Sequence, residues 1–532
     1  MPRLTLALLA ACLGVAVRVP VCASTEEGTP AAVISADAQR TEYSWSEGFQ
    51  LHAERFEMPD GVVRVLGSLE IGGRVVISGF PVAPGDRGDV ILESYDVYSK
   101  DARVFVVGAD GGREVERSNR VHLLGHAVGD RRISIGLSLD PDGSNMSGVV
   151  SHPQGMFEIV MLGKSDIGTG LTSYEVGIGV QDRLGMVIST SCETADVPVY
   201  FDPLSASLGA RPAHSTLLHQ ATVAFDTDGE LLMDMFSGST SAANTAIGDF
   251  VTAANVLYER DLGLRLVQGT TFLNTDPDAD PWTETSTDAQ LDEFGAYWEA
   301  NRGGVARVFA AFLSGKGFSS PTGCSGAGIA WVDIYCDPVV SGGQFDGGSY
   351  SATQVLKCVP LNGSSNVNLI GHELGHNAGS GHTHCYTPVV DECYNAQSGC
   401  YAGTPACPDH TSVIPGITAD KGTVMSYCNF GRPSGADCGA SEPFFHPTVS
   451  ARIKESITAN TNPGCVTHAC SAGSNDLPVS GNDTGAESYT ACNSITFSNY
   501  TSSGTVTATA PSIIMDNDVT IGGTFTADNS VP

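Results

Sequence analysis

The sequence predicts an α/β (α+β) fold, in which a mixed sheet covered by helices is preceded by a β-rich segment and followed by a short β-rich tail. Three observations carry this expectation. From residue 24 to about 212, apolar and polar residues alternate between Gly, Asp and Pro turns. From about 215, strand-like and helix-like periods alternate, the pattern of a sheet with helices packed on it. After Cys470, Ser, Thr, Gly, Asn and Asp dominate, with short β-prone runs. At 532 residues the chain exceeds one compact domain of ~100–200 residues, so two or three units are expected. The divisions fall at 1–23, 24–212, 213–468 and 469–532.

Residues 1–23 read as a signal peptide. Arg3 gives a positive start, Leu4 to Val17 is an apolar run too short to span a bilayer, and Val21-Cys22-Ala23 offers small residues for cleavage. A rival reading takes Leu9-Ala10-Ala11-Cys12 as a lipoprotein signal anchored at Cys12. No later apolar run is long enough for a transmembrane segment. In the second division, Val62–Leu66, Arg103–Val107 and Ile133–Leu139 read as strands, the last closed by the turn Asp140-Pro141-Asp142-Gly143. In the third, Leu217–Phe225, Leu264–Gln268, Val305–Leu313 and Ile329–Tyr335 read as strands. Ala242–Glu259 reads as an amphipathic helix with Ile247, Phe250, Val251, Ala254 and Leu257 near one face, and Asp288–Asn301 as a second helix. The fourth division carries Thr505–Thr509 and Asp518–Ile521 as β-prone runs in a low-complexity background that is equally consistent with a mobile tail.

Charge excludes one class of partner. Acids outnumber bases 59 to 27 and the formal net charge is −32. Nucleic acid and anionic lipid both require a Lys/Arg surface, so neither is expected. Cysteine usage agrees with export. Only Cys192 lies between residues 24 and 323, while twelve cysteines lie between Cys324 and Cys492. A dense, even-numbered group without paired C-x-x-C knuckles reads as disulfides in a secreted, extracellular protein.

The chemistry concentrates in His372-Glu373-Leu374-Gly375-His376-Asn377-Ala378-Gly379-Ser380-Gly381-His382. Two histidines four apart on a helix share a face and can chelate one ion. Val367, Ile370, Leu374 and Ala378 fall on the other side and can enter a core. Glu373 is rotated about 100° from His372, where a carboxylate reaches a water on the metal rather than the metal itself. Gly379 and Gly381 permit a helix stop and a turn that returns His382 as a third ligand. His384, two residues on, is the competitor for that place. Three imidazoles leave one zinc position open, as catalytic sites require; structural zinc usually has four protein ligands.

With this H-E-x-x-H-x-x-G-x-x-H pattern the chain resembles the metzincin zinc metalloproteases. The segment Gly422-Thr423-Val424-Met425-Ser426-Tyr427-Cys428 is similar to their Met-turn, which implies that Met425 floors the metal. From about 215 to 466 the chain looks like the bacterial adamalysin/reprolysin-like enzymes. The carrying residues are His372 to Asn377, His382-Thr383 and the turn at Val424–Cys428. The resemblance implies a catalytic domain with a twisted mixed sheet and an active-site helix, and it makes 24–212 similar in placement to a propeptide. The cysteine-dense loop with Cys385, Cys393, Cys400 and Cys407 departs from the family, so no disulfide pairing is carried over.

The implied function is a secreted, zinc-dependent metalloendopeptidase acting on proteins or peptides. One Zn2+ on His372, His376 and His382 would polarise the scissile carbonyl and acidify its water, with Glu373 as proton acceptor and donor. A substrate would add to an edge strand, expected at Gly328–Cys336. Tyr427 stands two residues after Met425, where some metzincins place a Tyr against zinc or oxyanion and adamalysins do not; a hydrogen-bonded core Tyr is the other reading. Thirteen cysteines follow the signal, an odd number, which singles out Cys192. It reads either as a cysteine switch resembling that of reprolysin propeptides or as an inert thiol. The acid content would suit calcium, but no D-x-[DN]-x-[DN]-G-x₅-E loop supports it. The rival to an enzyme is a surface adhesin or binding protein with a vestigial metzincin domain; intact Glu373 argues against it.

Overall fold

The computed structural model describes residues 31–528 with interruptions, the longest at 34–38, 167–171, 201–213, 340–346 and 470–475. The expected signal segment 1–23 with its rival anchor Cys12, the boundary at 212, and Cys470 and Cys492 lie outside the described residues. The described helices are α1 (Asp60–Gly67), α2 (Gly229–Phe236), α3 (Thr240–Leu257), α4 (Thr287–Arg302), α5 (Ser364–Asn377) and α6 (Pro447–Ala459). None is long and apolar enough to cross a membrane.

Ten strands between Ala31 and Arg183 form one sheet, antiparallel except where Ala31–Val33 joins Arg74–Ala83. Its buried face gathers Ile77, Leu92, Ile135, Leu137, Ile159 and Ile178. Ile133–Leu139 lies within the strand Asp130–Leu139, and Gly143 N–H donates to Asp140 O at 2.8 Å to close the expected turn. Val62–Leu66 is not a strand. It lies in α1, because Val62, Val63 and Leu66 recur at helical rather than alternating spacing and bury together, and Arg64 pairs with Asp60 one turn back at 2.6 Å.

The second sheet is mixed. In spatial order its strands are Val187–Cys192, Gly323–Ala330, Tyr350–Gln354, Phe309–Ser314, Leu218–Thr227, Leu264–Asn274, Val104–Gly108 and Gly111–Val115. Both of its outer ends come from the N-terminal half of the chain. The hairpin 104–115 adds in parallel to Leu264–Asn274. At the other end Val187–Cys192 adds in parallel to Gly323–Ala330, itself antiparallel to Tyr350–Gln354.

The expected strand Ile329–Tyr335 starts earlier and stops at Ala330. Beyond it the backbone leaves the sheet: Asp333 N–H donates to His376 O at 2.9 Å, Asp333 and Cys336 adopt positive φ of 59° and 58°, and Cys336 is bonded to Cys465. The expected edge Gly328–Cys336 is therefore shorter, and its outer side is paired to Val187–Cys192.

On one face of this sheet α4 packs Leu291, Phe294 and Trp298 against Phe312, Tyr350 and Ala352. On the other lie α3 and α5, and Val367, Ile370 and Leu374 of α5, with Ala378 at its end, share a core with Ile247, Phe250 and Val251. The helix α3 is buried almost all round rather than on one face. Polar residues in its middle meet the N-terminal segment. Asp249 meets the Arg120 guanidinium at 3.0 Å, and Thr252 Oγ1 meets Tyr95 OH at 3.0 Å and His122 Nδ1 at 2.8 Å.

Residues 476–528 carry parallel strands in two small sheets between which the chain alternates. Tyr489, Ile495, Phe497, Tyr500 and Val506 form their shared core.

The buried His122 makes stability depend on pH. Burial, aided by Arg120, holds its pKa down to about 3 from the ordinary 6.5. Below pH 6.5 the unfolded chain takes a proton that the folded chain refuses, so stability falls as pH drops towards 3. Asp228 and Asp391, pushed up to about 6 by burial, act in the opposite sense. A difference between variants isolates the histidine. The urea midpoint of His122→Gln is expected to fall less between pH 7 and pH 4.5 than that of the wild type; parallel midpoints would contradict this assignment.

Candidate metal centre

The site is assembled at the C-terminal end of α5, where the helix stops and the chain doubles back. Ala378 N–H closes the last turn on Leu374 O, and Gly379 adopts φ 111°. A Cβ there would also approach Ser456 Oγ to 2.6 Å, so glycine is required on two counts. Ser380 N–H then donates to Gly375 O at 3.1 Å, and His382 returns to the helix face.

His372, His376 and His382 converge. Their Nε2 atoms stand 3.1 to 3.2 Å from one another, and all three residues are buried. The other ring nitrogens explain why. His372 Nδ1 lies 2.6 Å from Val424 O, and His376 Nδ1 lies 2.7 Å from Ser380 O. A carbonyl oxygen only accepts, so each Nδ1 carries the proton and each Nε2 of a neutral ring presents a lone pair. Lone pairs facing each other at this range repel unless a cation lies among them. The spacing is close to the roughly 3.3–3.4 Å edge of a tetrahedron with ~2.0–2.1 Å zinc–nitrogen bonds. The donor set therefore fits zinc.

His384 is not part of this convergence. Its Nε2 bonds Gln397 Oε1, and its ring stacks behind His382 at 5.6 Å between centroids. The competitor for the third place is thus turned to another partner.

Glu373 is fully buried beside the convergence, with Oε2 3.6 Å from Cys192 Sγ and 3.5 Å from Thr194 Oγ1. Its carboxylate lies against Gly328 of the edge strand so closely that any Cβ at 328 would collide with it. Nothing local in the sequence marks Gly328 for this role; the need arises only when edge strand and helix are brought together. Asn377 has a comparable role. Its side-chain amide donates to Trp331 O at 2.8 Å and Tyr350 O at 3.0 Å, tying the end of α5 to the sheet.

Met425 is fully buried next to the helix that carries two of the histidines. A Cβ at Gly375 would come within 2.7 Å of its sulfur, so glycine between the two helical histidines makes room for the methionine. Met425 O accepts from Thr383 N–H at 3.0 Å, which joins this turn to the returning chain at His382. The disulfide Cys393–Cys428 anchors the turn from the far side. Tyr427 packs its ring 3.9 Å from that of His382 and donates from its hydroxyl to Cys192 O at 2.6 Å.

Cys192 is the one free cysteine among the described residues; the other ten form Cys324–Cys358, Cys336–Cys465, Cys385–Cys400, Cys393–Cys428 and Cys407–Cys438. Its residue pairs in register with Gly328, and Glu193 N–H continues the ladder to Gly328 O at 2.8 Å. The Cys192 sulfur and the three imidazole nitrogens all lie within 4.8 Å of one another. Burial and then the Glu373 carboxylate push this thiol well above its usual range. Burial, His372 and His384 hold His382 well below its own. A cation among these groups would offset both effects.

Comparison with known proteins agrees with this geometry. Residues 218–427 match the reprolysin-type family described as Metallo-peptidase family M12. No curated protein matches the chain. Among solved structures, metalloproteinase-II from Bacteroides fragilis is similar at 11% identity and a TM-score of 0.31, over 64% of this chain and 89% of that one, a likeness too slight to argue from. The matched segment runs from the strand Leu218–Thr227 through α5, the three histidines and Met425, and it makes residues 218–427 of this chain a reprolysin-like metallopeptidase domain.

Proposed function

We propose that this chain is a secreted zinc metalloendopeptidase held latent by its own N-terminal segment. The observation that carries the reading is the convergence of His372, His376 and His382 on one point with Glu373 beside it. His372, His376 and His382 would hold the ion. Bound there, zinc supplies Lewis acidity and lowers the pKa of water to ~7. Glu373 takes a proton from the attacking water and delivers it to the leaving amine. Burial between edge strand and helix keeps its carboxylate aimed and strengthens its charge interactions. Tyr427, with its hydroxyl on a main-chain carbonyl of the strand in the cleft, is suited to hold a substrate carbonyl in the same way. Five disulfides among the described cysteines accord with an extracellular setting. The rival reading of a binding protein with a vestigial centre gains no support, because Glu373 and all three histidines are intact and mutually placed for chemistry.

Latency follows from what occupies the cleft. The edge strand Gly323–Ala330 is the natural ladder for an extended substrate. Val187–Cys192 already pairs along it. Cys192 brings a soft thiolate donor to the open ligand position, the arrangement of a cysteine switch. In this reading 24–212 acts as a propeptide, of which the strand 187–192 is the inhibitory element.

Three outcomes are expected. Glu373→Gln keeps its zinc by elemental analysis and loses casein hydrolysis by about 10²–10⁴-fold, since only proton transfer is removed; near-normal turnover would refute the mechanism. Gly328→Ala, which drives a methyl group into the Glu373 carboxylate, lowers kcat while zinc content stays at one per chain; a kcat equal to wild type would show that Glu373 does not work from this position. Unprocessed Cys192→Ser hydrolyses casein before any cleavage, and thiol-modifying reagents activate unprocessed wild type. A Cys192→Ser chain as latent as wild type would remove the thiol from the account.

A further inference from the structure

The N-terminal sheet does more than precede the inhibitory strand. Its last strand ends at Arg183, before Val187–Cys192 begins, so the part that fills the cleft and the part that packs behind the domain are separate pieces of chain.

The second piece is built into the peptidase. Tyr95, Leu124 and Val149 of this sheet, with Val97, Tyr98 and Val104 of the chain that leaves it for the second sheet, belong to the same apolar core as Ile247, Phe250 and Val251 of α3 and Val367 and Ile370 of α5. The Arg120 side chain, 2% exposed, pairs with Asp249 of α3. Withdrawing the sheet would expose that core to water and strip a buried carboxylate of its partner, both unfavourable.

One contact reaches the active-site helix itself. The N-terminus of α5 has no capping side chain of its own: its N-cap is Gly363, and no acidic residue stands in its first turn. Its first amide, Ser364 N–H, donates instead to Glu158 Oε1 at 2.8 Å. Glu158 lies on the strand Gly155–Asp166 of the N-terminal sheet and is 2% exposed. Beside it, Asn362 Nδ2 donates to Ser147 Oγ at 3.3 Å from the neighbouring strand. A carboxylate at this end satisfies a helix amide and complements the helix dipole. The same helix carries His372, Glu373 and His376, and a small shift along its axis would move all three together.

We propose that Glu158 is a positioning residue of the peptidase, acting through the N-terminus of α5, and that the N-terminal sheet stays bound in the working enzyme after the strand Val187–Cys192 has left the cleft. The proposal rests on the peptidase reading above. It divides the segment before the domain into a removable inhibitor and a permanent scaffold.

The test uses the full chain, nicked by limited trypsin until casein hydrolysis emerges. On size exclusion, a fragment containing the N-terminal sheet is expected to co-elute one-to-one with the fragment containing the three histidines. An active peak free of the sheet fragment, with undiminished specific activity, overturns the proposal. In the nicked enzyme Glu158→Ala is expected to lower kcat about tenfold with KM and zinc content unchanged, and Glu158→Gln, which keeps the acceptor, to recover most of the loss. Faster amide exchange in the first turn of α5 should accompany the alanine variant. If Glu158→Ala does not fold, Ser364→Pro removes the donated N–H at a position where proline suits a helix, and the same loss of kcat is expected. Wild-type kcat and wild-type exchange in these variants overturn the positioning role. A wild-type chain that binds zinc yet never hydrolyses a peptide refutes the peptidase reading instead, while co-elution and amide exchange still decide whether the sheet is held and the cap is made.

Discussion

Two backbone carbonyls govern this site. Val424 O and Ser380 O each accept from the Nδ1 of a histidine, and so each turns an Nε2 lone pair towards the same point. Everything else arranges for those carbonyls to be there. Gly379 ends the helix so that Ser380 can face back to His376. Gly375 leaves room for Met425, the residue after Val424. Thr383 ties His382 to the Met425 carbonyl. The orientation of two of the three imidazoles is therefore fixed through their outer partners, as is usual for histidines that hold a metal.

The same residues show what is legible in the sequence and what is not. Four-residue spacing on a helix, a glycine stop, and a methionine in a turn are local patterns, so His372, Glu373, His376, His382 and Met425 can be placed from the sequence alone. So can Ile133–Leu139 and Leu264–Gln268, which fall inside the longer strands Asp130–Leu139 and Leu264–Asn274. Where periodicity misleads, the deciding contact is elsewhere in the chain. Val62–Leu66 is a short apolar run in which helix and strand spacing are hard to separate, and the sheet it packs on decides. The edge strand ends at Ala330 because Cys336 is held by Cys465, a partner 129 residues away. Gly328 is constrained by a carboxylate on a helix 45 residues later. The polar residues of α3 fall on the face that its amphipathic pattern leaves to solvent, yet Asp249, Thr252 and Asn255 are buried, the first two against the sheet of residues 31–183. Periodicity assigns a face to a residue, but it does not say what covers that face.

The central sheet depends on that remote segment at both ends. A sheet edge offers unpaired N–H and C=O groups, and here each edge is covered by N-terminal chain. At one edge the hairpin 104–115 covers Leu264–Asn274, far from the histidines, and packs Val104 into the shared core. At the other, Val187–Cys192 covers the strand that borders the site. The two coverings differ in kind. The first continues into a large apolar interface with α3. The second rests on a ladder and a few polar contacts, from Tyr427 and Asn429 to the strand and from Gln397 to Thr194 just beyond it. The edge beside the histidines is thus held by hydrogen bonds, whereas the remote edge is held by a shared core as well.

A related division of labour explains the cysteines. Between Thr387 and Pro447 the described chain contains no helix or strand, so ladder hydrogen bonds cannot hold it. This stretch nonetheless carries Met425 and Tyr427, and it contacts both His382 and the strand Val187–Cys192. The cross-links Cys385–Cys400, Cys393–Cys428 and Cys407–Cys438 close loops of 15, 35 and 31 residues across it. Each such closure removes conformational freedom from the unfolded chain, typically worth about 2–4 kcal/mol. Half of the site is thus positioned by a helix on a sheet and half by covalent ties. The tie at Cys428 is adjacent to Tyr427 and three residues from Met425, so the segment that packs on His382 is covalently anchored where secondary structure ends.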